Sequence, residues 1–182
     1  MIRTVGMIEF NSIAKGIETA DFMIKAAEVE LLFAKAICPG KFIILVAGDV
    51  AAVNASIETG LAGGGVFVVD HLMLPRIHPQ VIHAINATTV IDQLNALGVM
   101  EFFSVAAAVT AADIAVKTAQ VDLMEIRLGI GIGGKSFVTL TGDVSAVTEA
   151  VESGVRYAQE QGMLVYRAVI PSPGKELFQS LL

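Results

Sequence analysis

Residues 5–31, VGMIEFNSIAKGIETADFMIKAAEVEL, recur in altered form at residues 97–123 as LGVMEFFSVAAAVTAADIAVKTAQVDL. Eleven of these 27 positions are identical, at an offset of 92. The similarity resumes at an offset of 94, where AGDVAAVNASIETG (47–60) matches TGDVSAVTEAVESG (141–154). Each copy spans roughly 90 residues, which is enough for a hydrophobic core of its own. The sequence therefore predicts a tandem duplication, with domains at 1–92 and 93–182.

The hydrophobic pattern within each copy predicts a small α+β domain. In the first copy, apolar residues at helical spacing follow Ser12, a suitable N-cap, and this stripe comprises Ile13, Ile17, Ala20, Ile24 and Ala27. A second helix is predicted in each copy, capped by Asp49 or Asp143 and ending at Gly60 or Gly154. Strand-like segments surround the helices, at TVGMIEF, VELLFAKAI, KFIILVA and GVFVVDHLML. The order β-α-β-β-α-β is that of a ferredoxin-like, split βαβ fold.

The composition limits the classes of function. Hydrophobic residues make up 54% of the chain and charged residues 16%, whereas a typical soluble domain is about 25% charged. Such a chain is expected to cover apolar surface by association. The net charge of −6 argues against a nucleic-acid partner. No apolar run is long enough to span a membrane, and the segment MIRTVGMIEF does not resemble a signal peptide. We therefore expect a cytoplasmic protein that binds neither membrane nor nucleic acid.

The segment GIGIGGKS, Gly129–Ser136, matches the consensus of a phosphate-binding loop. Such a loop requires a helix directly after the lysine, because the amides at the helix N-terminus bind the phosphate. Lys135 is instead followed by SFVTLTGD, which is typical of a strand. The acidic residue Asp70, which could bind magnesium, aligns with Arg167 in the other copy. A nucleotide-binding enzyme is therefore only a remote alternative.

The duplication makes this glycine-rich segment the counterpart of CPGKF, which contains the single cysteine, Cys38. Glycine permits a close approach of neighbouring backbone, so matching loops of this kind suit an axis at which several loops converge. One thiol cannot form an intramolecular disulfide. From the residues alone, Cys38 is either a small buried apolar residue or a ligand that acts together with cysteines of other chains.

Several segments resemble the shell-protein domain of bacterial microcompartments: SIAKGIETADFMIKAAEVEL, GDVAAVNASIETG and the terminal VIPSP. Two copies in one chain resemble the tandem-domain members of that family. The resemblance implies a homotrimer that imitates a hexamer, located in the microcompartment shell, with other shell proteins as partners. It implies a structural role and not catalysis.

The cysteine in ICPGKF resembles that of the propanediol-utilization type of tandem shell protein. This resemblance implies that three copies of Cys38 bind one 4Fe–4S cluster per trimer, which would carry electrons across the shell to redox enzymes inside. Pro39 and Gly40 would shape the pore loop. The glycine-rich segment would line the positions that alternate with this loop around the axis, through Gly131, Ile132, Gly133 and Gly134. The alternative is a metabolite pore without a cluster.

Other polar residues have both structural and functional interpretations. Lys25 and Lys117 resemble the lysines at the edges of shell tiles, although their spacing also predicts ion pairs with Asp21 and Asp113. His71, His78 and His83 are too widely spaced to favour a metal site, and we expect surface or loop positions for them. Glu9 and Glu101 correspond through the duplication, and we find no catalytic set of residues around them.

Overall fold

The computed structural model describes residues 4–91 and 94–181, and the chain folds into two compact units. The first unit extends to Ile77 and includes two short segments of the second copy, residues 104–106 and 129–135. The second unit comprises 78–103, 107–128 and the chain from Ser136 onward. The domain boundary predicted between residues 92 and 93 lies outside the described residues and stays a prediction.

The first copy forms a four-stranded antiparallel sheet with the strand order β2-β3-β1-β4 and two helices. Its elements are β1 (Thr4–Phe10), α1 (Ile13–Ala26), β2 (Glu30–Ile37), β3 (Lys41–Gly48), α2 (Val50–Gly64) and β4 (Val68–Pro75). The core lies between the sheet and the helices, and its largest members include Phe10, Met23, Ile44 and Ile57. The α+β, split βαβ fold predicted from the periodicity is confirmed.

The second copy repeats this topology, with the strand order β6-β7-β5-β8. Its elements are β5 (Ala96–Phe102), α4 (Val105–Thr118), β6 (Val121–Leu128), β7 (Ser136–Gly142), α5 (Val144–Glu160) and β8 (Leu164–Ile170). Two further short helices, α3 (Pro79–Ile85) and α6 (Lys175–Leu181), follow the last strand of each copy. Neither short helix was predicted from the sequence.

The start of α1 agrees with the prediction, whereas the termini of α2 and α5 differ from it in two respects. Ser12 caps α1 as expected, because its side chain accepts a hydrogen bond from the Lys15 amide at 3.3 Å. Asp49 and Asp143 occupy N-cap positions, but their side chains make no capping hydrogen bond. The helices also do not end at Gly60 and Gly154. Both glycines lie buried inside helices. Neighbouring side chains or backbone approach them so closely that a Cβ would not fit.

The strand register corrects one alignment. Glu9 pairs with Asp70 across β1 and β4, whereas Glu101 pairs with Tyr166 across β5 and β8. The counterpart of Asp70 is therefore Tyr166, and Arg167 corresponds to His71. The acidic group is still missing from the second copy, so the conclusion drawn from the repeat is unchanged.

Candidate functional site

Cys38 lies in the three-residue turn that joins β2 to β3. Its side chain is half-buried and the thiol is free. The Cys38–Pro39 peptide bond is cis, and Gly40 closes the turn with φ of +93° while its amide donates to the Ile37 carbonyl at 3.0 Å. A glycine suits this position because other residues rarely adopt such a φ. The predicted loop between two apolar strands is confirmed.

The glycine-rich segment occupies the corresponding turn, between β6 and β7, but it is longer and spans residues 129–135. This segment belongs to the first unit and lies against Cys38. The Cys38 amide donates to the Gly129 carbonyl at 3.2 Å. A Cβ at Gly134 would lie 2.5 Å from both the Cys38 carbonyl oxygen and Pro39 Cδ. The two turns are therefore in direct contact, and the Cys38 backbone is fixed by the glycine-rich one.

Three other glycines of these turns face open space, whereas Gly129 packs against Ile37. A Cβ at Gly40, Gly131 or Gly133 would meet nothing within 4 Å. Ile132 is half-buried, whereas Gly134 is buried. The glycines expected around an opening thus fall into two groups: Gly134 packs on the Cys38 turn, whereas Gly40, Gly131 and Gly133 are exposed. Their role in lining a pore stays a prediction.

The phosphate-loop interpretation lacks its structural context. Ser136, directly after Lys135, begins the strand β7 and not a helix, so no helix N-terminus is available there to bind a phosphate. Gly134, the residue before the lysine, instead packs against the Cys38 turn.

The sequence does not reveal a cluster of charged residues that includes Lys41, the residue directly after the Cys38 turn. Glu9 is fully buried, and its carboxylate forms an ion pair with Lys41 at 2.7 Å and accepts a hydrogen bond from the Val105 amide at 2.9 Å. The Ser104 hydroxyl donates to the Asp70 carboxylate. The recurrence of a glutamate and a lysine in both copies was the available signal. The sequence argues against a catalytic role for Glu9 but assigns it no other role, whereas in the structure its carboxylate stabilises the first turn of α4.

The two lysines proposed at tile edges both form the ion pairs that their spacing predicts. Lys25 pairs with Asp21 at 2.6 Å, and Lys117 pairs with Asp113 at 2.5 Å. Asp113 also accepts a hydrogen bond from the His78 amide at 2.8 Å, which anchors the start of α3. Neither ion pair tests a role at a tile edge, so that role stays a prediction.

The three histidines have separate environments. His78 is the N-cap of α3, where its ring nitrogen accepts from the Gln80 amide at 3.4 Å. His83 lies beside Thr88, and His71 is exposed on β4. Within residues 4–91 and 94–181, no three metal-ligating side chains of the His, Cys, Asp and Glu types come together.

Comparison with known proteins explains the duplication. The BMC domain model matches the chain twice, at residues 4–77 and 96–173. The chain belongs to the BMC domain family. It is 44% identical over 182 residues to the bacterial microcompartment shell protein PduT of Citrobacter freundii, covering all of this chain and 99% of that protein. It is 30% identical to the carboxysome assembly protein CcmO of Synechococcus elongatus, covering 97% of this chain and 68% of that protein.

Solved BMC structures agree with the fold. A crystal structure of a microcompartment protein from Desulfitobacterium hafniense DCB is 54% identical, with a TM-score of 0.87, and covers 98% of this chain and 99% of that one. The fused permuted hexameric shell protein MSM0275 of the RMM microcompartment has a TM-score of 0.60 at 22% identity, which concerns the fold alone. It covers 82% of this chain and 78% of that one.

The family membership defines the general role of the chain. It is a structural protein of the bacterial microcompartment shell, with two BMC domains in tandem, and its relatives are shell proteins and not enzymes. No helix in the described part of the chain has both the length and the apolar character needed to cross a bilayer.

Proposed function

We propose that the chain forms a homotrimeric, pseudohexameric shell tile in which three copies of Cys38 bind one 4Fe–4S cluster. The observation that carries this proposal is the position of the single thiol. It lies in a turn whose backbone is fixed by the glycine-rich segment, next to glycines that face open space. A closed threefold ring would bring three such turns to one axis.

The residues present fit an iron–sulfur cluster. Thiolates are the ligands of these clusters, and a half-buried thiol can contact a group on the axis without unfolding the turn. Three chains supply three thiolates, so the fourth iron would take a different ligand. A bound cluster would supply one-electron transfer. The chain itself would hold the thiols in place and shield them, with redox enzymes inside the compartment as electron partners.

The test is anaerobic purification of the wild type and Cys38→Ser in parallel, with iron and sulfide assays, visible absorption and electron paramagnetic resonance. We expect about four irons per three chains in the wild type and none in Cys38→Ser. Light scattering of both proteins provides the control, because the serine variant should remain a trimer. A serine variant that still carries iron would refute the role of Cys38. A wild type without iron after anaerobic reconstitution would leave a metabolite pore without a cluster.

We further propose that Lys25 and Lys117 lie at the edges where trimers meet other shell proteins. Both side chains extend from the last turns of corresponding helices, and that of Lys25 is 71% exposed despite its ion pair. In this arrangement the double variant Lys25→Ala/Lys117→Ala should form trimers that fail to assemble into sheets. Light scattering measures the mass of the assembly and so tests for the trimer. Electron microscopy of negatively stained protein measures the extent of the sheets. Sheets of wild-type extent from the double variant would refute the edge role.

A further inference from the structure

A cleft beside the short helix α3 collects polar side chains that have no part in the site around Cys38. It has a volume of about 270 Å³ and lies within the second unit. Its walls come from α3, from the segment that follows α3 and from the start of β6. The lining residues are Gln80, His83, Thr88, Thr89, Val90 and Asp122. Two of them, His83 and Asp122, are of types that bind metal ions.

The environment of His83 determines which ring nitrogen carries the proton. The Thr88 hydroxyl donates its hydrogen to the His83 carbonyl at 3.2 Å. The same hydroxyl oxygen lies 3.3 Å from Nδ1 of the ring. It therefore accepts a hydrogen bond from Nδ1–H, and Nε2 keeps a lone pair. A histidine that binds a metal through one nitrogen commonly donates its other N–H to a neighbouring group in this way.

The carboxylate of Asp122 is oriented as well. Its Oδ1 accepts a hydrogen bond from the Gln80 side chain at 3.0 Å. The Gln80 side-chain oxygen in turn accepts from the Leu123 amide at 3.0 Å, which fixes the orientation of the Gln80 amide group. Oδ2 of Asp122 forms no hydrogen bond or ion pair with a described residue. The carboxylate is thus held by one oxygen and free at the other.

A further lone pair in the cleft has no partner. The hydroxyl oxygen of Thr89 is buried, and no group in residues 4–91 or 94–181 forms a hydrogen bond with it. The cleft therefore contains an imidazole nitrogen, a carboxylate oxygen and a hydroxyl oxygen, each with an unused lone pair. Its described lining residues include neither lysine nor arginine. This set of groups favours a cation.

We infer that the cleft binds one divalent transition-metal ion per chain, with Nε2 of His83 and Oδ2 of Asp122 as its protein ligands. Imidazole favours ions such as Zn²⁺, Ni²⁺ and Cu²⁺, whereas Mg²⁺ and Ca²⁺ prefer oxygen ligands. Two ligands of these types agree with the absence of any cluster of three among the described residues.

Water completes the coordination of the ion. The cleft has room for it, since one water occupies about 30 Å³ in the liquid, and the Thr89 oxygen accepts a hydrogen bond from one of these waters. The site is independent of the proposed cluster and of the trimer, because all its residues lie in the second unit of one chain.

Metal titration of the full chain without an affinity tag tests the inference. The Cys38→Ser variant is the reference protein, so that the thiol cannot bind the added metal. Calorimetric titration with Zn²⁺ should give one ion per chain, and His83→Ala or Asp122→Asn should weaken binding about tenfold or more. His71→Ala is the matched control and should bind as the reference does, because His71 is exposed beside Asp70 and does not line the cleft.

Two further measurements examine the role of His83. Thr88→Val keeps both ligands but removes the acceptor of the Nδ1 proton, so it should weaken Zn²⁺ binding about tenfold. Electron paramagnetic resonance of the reference protein with one equivalent of Cu²⁺ should show hyperfine splitting from one nitrogen. That splitting should be lost in His83→Ala and kept in Asp122→Asn. Circular dichroism verifies that each variant is folded.

Three results would overturn the inference. The first is a reference protein that binds no Zn²⁺, and the second is a His83→Ala variant that binds it unchanged. The third is an equal loss in His71→Ala and His83→Ala, which would indicate binding to exposed histidines in general. If a variant does not fold, the copper spectrum of the reference protein decides, because a spectrum without nitrogen splitting excludes His83 as a ligand.

Discussion

At the scale of single residues, Gly134 shows how closely the two turns approach. Its φ of +78° favours glycine, and a Cβ would lie 2.5 Å from the Cys38 carbonyl oxygen. Gly133 has a similar φ of +66° but faces open space. Comparing Gly133 with Gly134 therefore distinguishes the effect of the backbone conformation from the effect of close packing.

We predict that Gly134→Ala destabilises the protein more than Gly133→Ala does. Gly133→Ala should cost about 1 kcal/mol, because only the left-handed backbone conformation is penalised. Gly134→Ala should cost roughly 3 kcal/mol, since the Cys38 backbone must also move. Thermal unfolding at one protein concentration measures both. Equal losses in the two variants would show that the turns are not held together at this point.

Lys35 provides a pH-dependent prediction. Burial lowers the pKa of this lysine from its ordinary value of 10.5, so the folded state disfavours its charge. The resulting destabilisation is complete at neutral pH and is relieved as the pH rises through the lowered folded pKa towards 10.5. Lys35→Met should therefore raise the unfolding temperature slightly at pH 7. The difference from wild type should shrink as the pH approaches 10. A difference that grows with pH would contradict this assignment.

At the scale of secondary structure, the local pattern predicted the repeated elements well and their ends less well. Strand β1 is predicted with its observed bounds, because a short run of apolar and β-branched residues defines it locally. Gly60 and Gly154 resembled helix ends, but the helices continue past them. The reason is tertiary packing. A Cβ at Gly60 would lie 2.4 Å from Ile8 Cδ1, and one at Gly154 would lie 2.9 Å from the Ala111 carbonyl oxygen.

The short helices α3 and α6 were missed for a different reason. Each has seven residues, which is too short for a clear helical period. α3 is supported by contacts distant in sequence. The Gln80 side chain bonds both the Leu123 amide and Asp122, at 3.0 Å each. Contacts of this kind cannot be inferred from local sequence. The same limit concealed the Glu9 cluster, whose partner Val105 is 96 residues away.

We predict that replacing two helix glycines by alanine changes the stability of the protein in opposite directions. Gly154→Ala should destabilise the protein by about 1–3 kcal/mol, because the new methyl group displaces backbone of the neighbouring helix. Gly63→Ala is the matched control within a helix. The nearest atom to its Cβ, on the Phe22 ring, is 3.3 Å away. Because Phe22 is 42% exposed, its ring can shift by the small distance needed, and the higher helix propensity of alanine should stabilise the protein by about 0.5 kcal/mol. Thermal unfolding of both variants and the wild type measures the two changes in stability. A stabilised Gly154→Ala variant would contradict the close packing.

At the scale of the whole molecule, the duplication was evident from the sequence, but the unequal burial of its copies was not. The periodicity assigns the same apolar stripe to α1 and α4, and nothing local distinguishes a stripe covered within the chain from one that is exposed. Only the folded structure reveals that Ile17 is exposed and Val109 is buried. For the same reason, Cys38 could be placed in a turn from the sequence, whereas its contact with the glycine-rich turn could not.

We predict that Ile17→Glu converts the trimer into a folded monomer. The side chain is more than half exposed in the single chain, so the charge is tolerated there but not in an apolar interface. Val66→Glu, at a position 88% exposed and outside the exposed apolar face of α1 (Ile13, Ile17 and Ile24), is the control and should remain a trimer.

Light scattering measures the mass of both variants. The wild-type unfolding temperature should also rise with protein concentration, and that of Ile17→Glu should not. A trimeric Ile17→Glu variant would exclude the exposed apolar face of α1 from the interface between chains.

The unequal lengths of the two turns have an evolutionary consequence. In a ring of six identical chains, every substitution near the axis is present six times, so the number of identical groups there cannot be reduced. A chain with a three-residue turn in one copy and a seven-residue turn in the other can change its two turns separately. In the proposed trimer, one mutation would then introduce a side chain at three places and leave the other three small. Fusion of two domains thus lets selection set the stoichiometry of a site on the axis, which a hexamer of single domains cannot do.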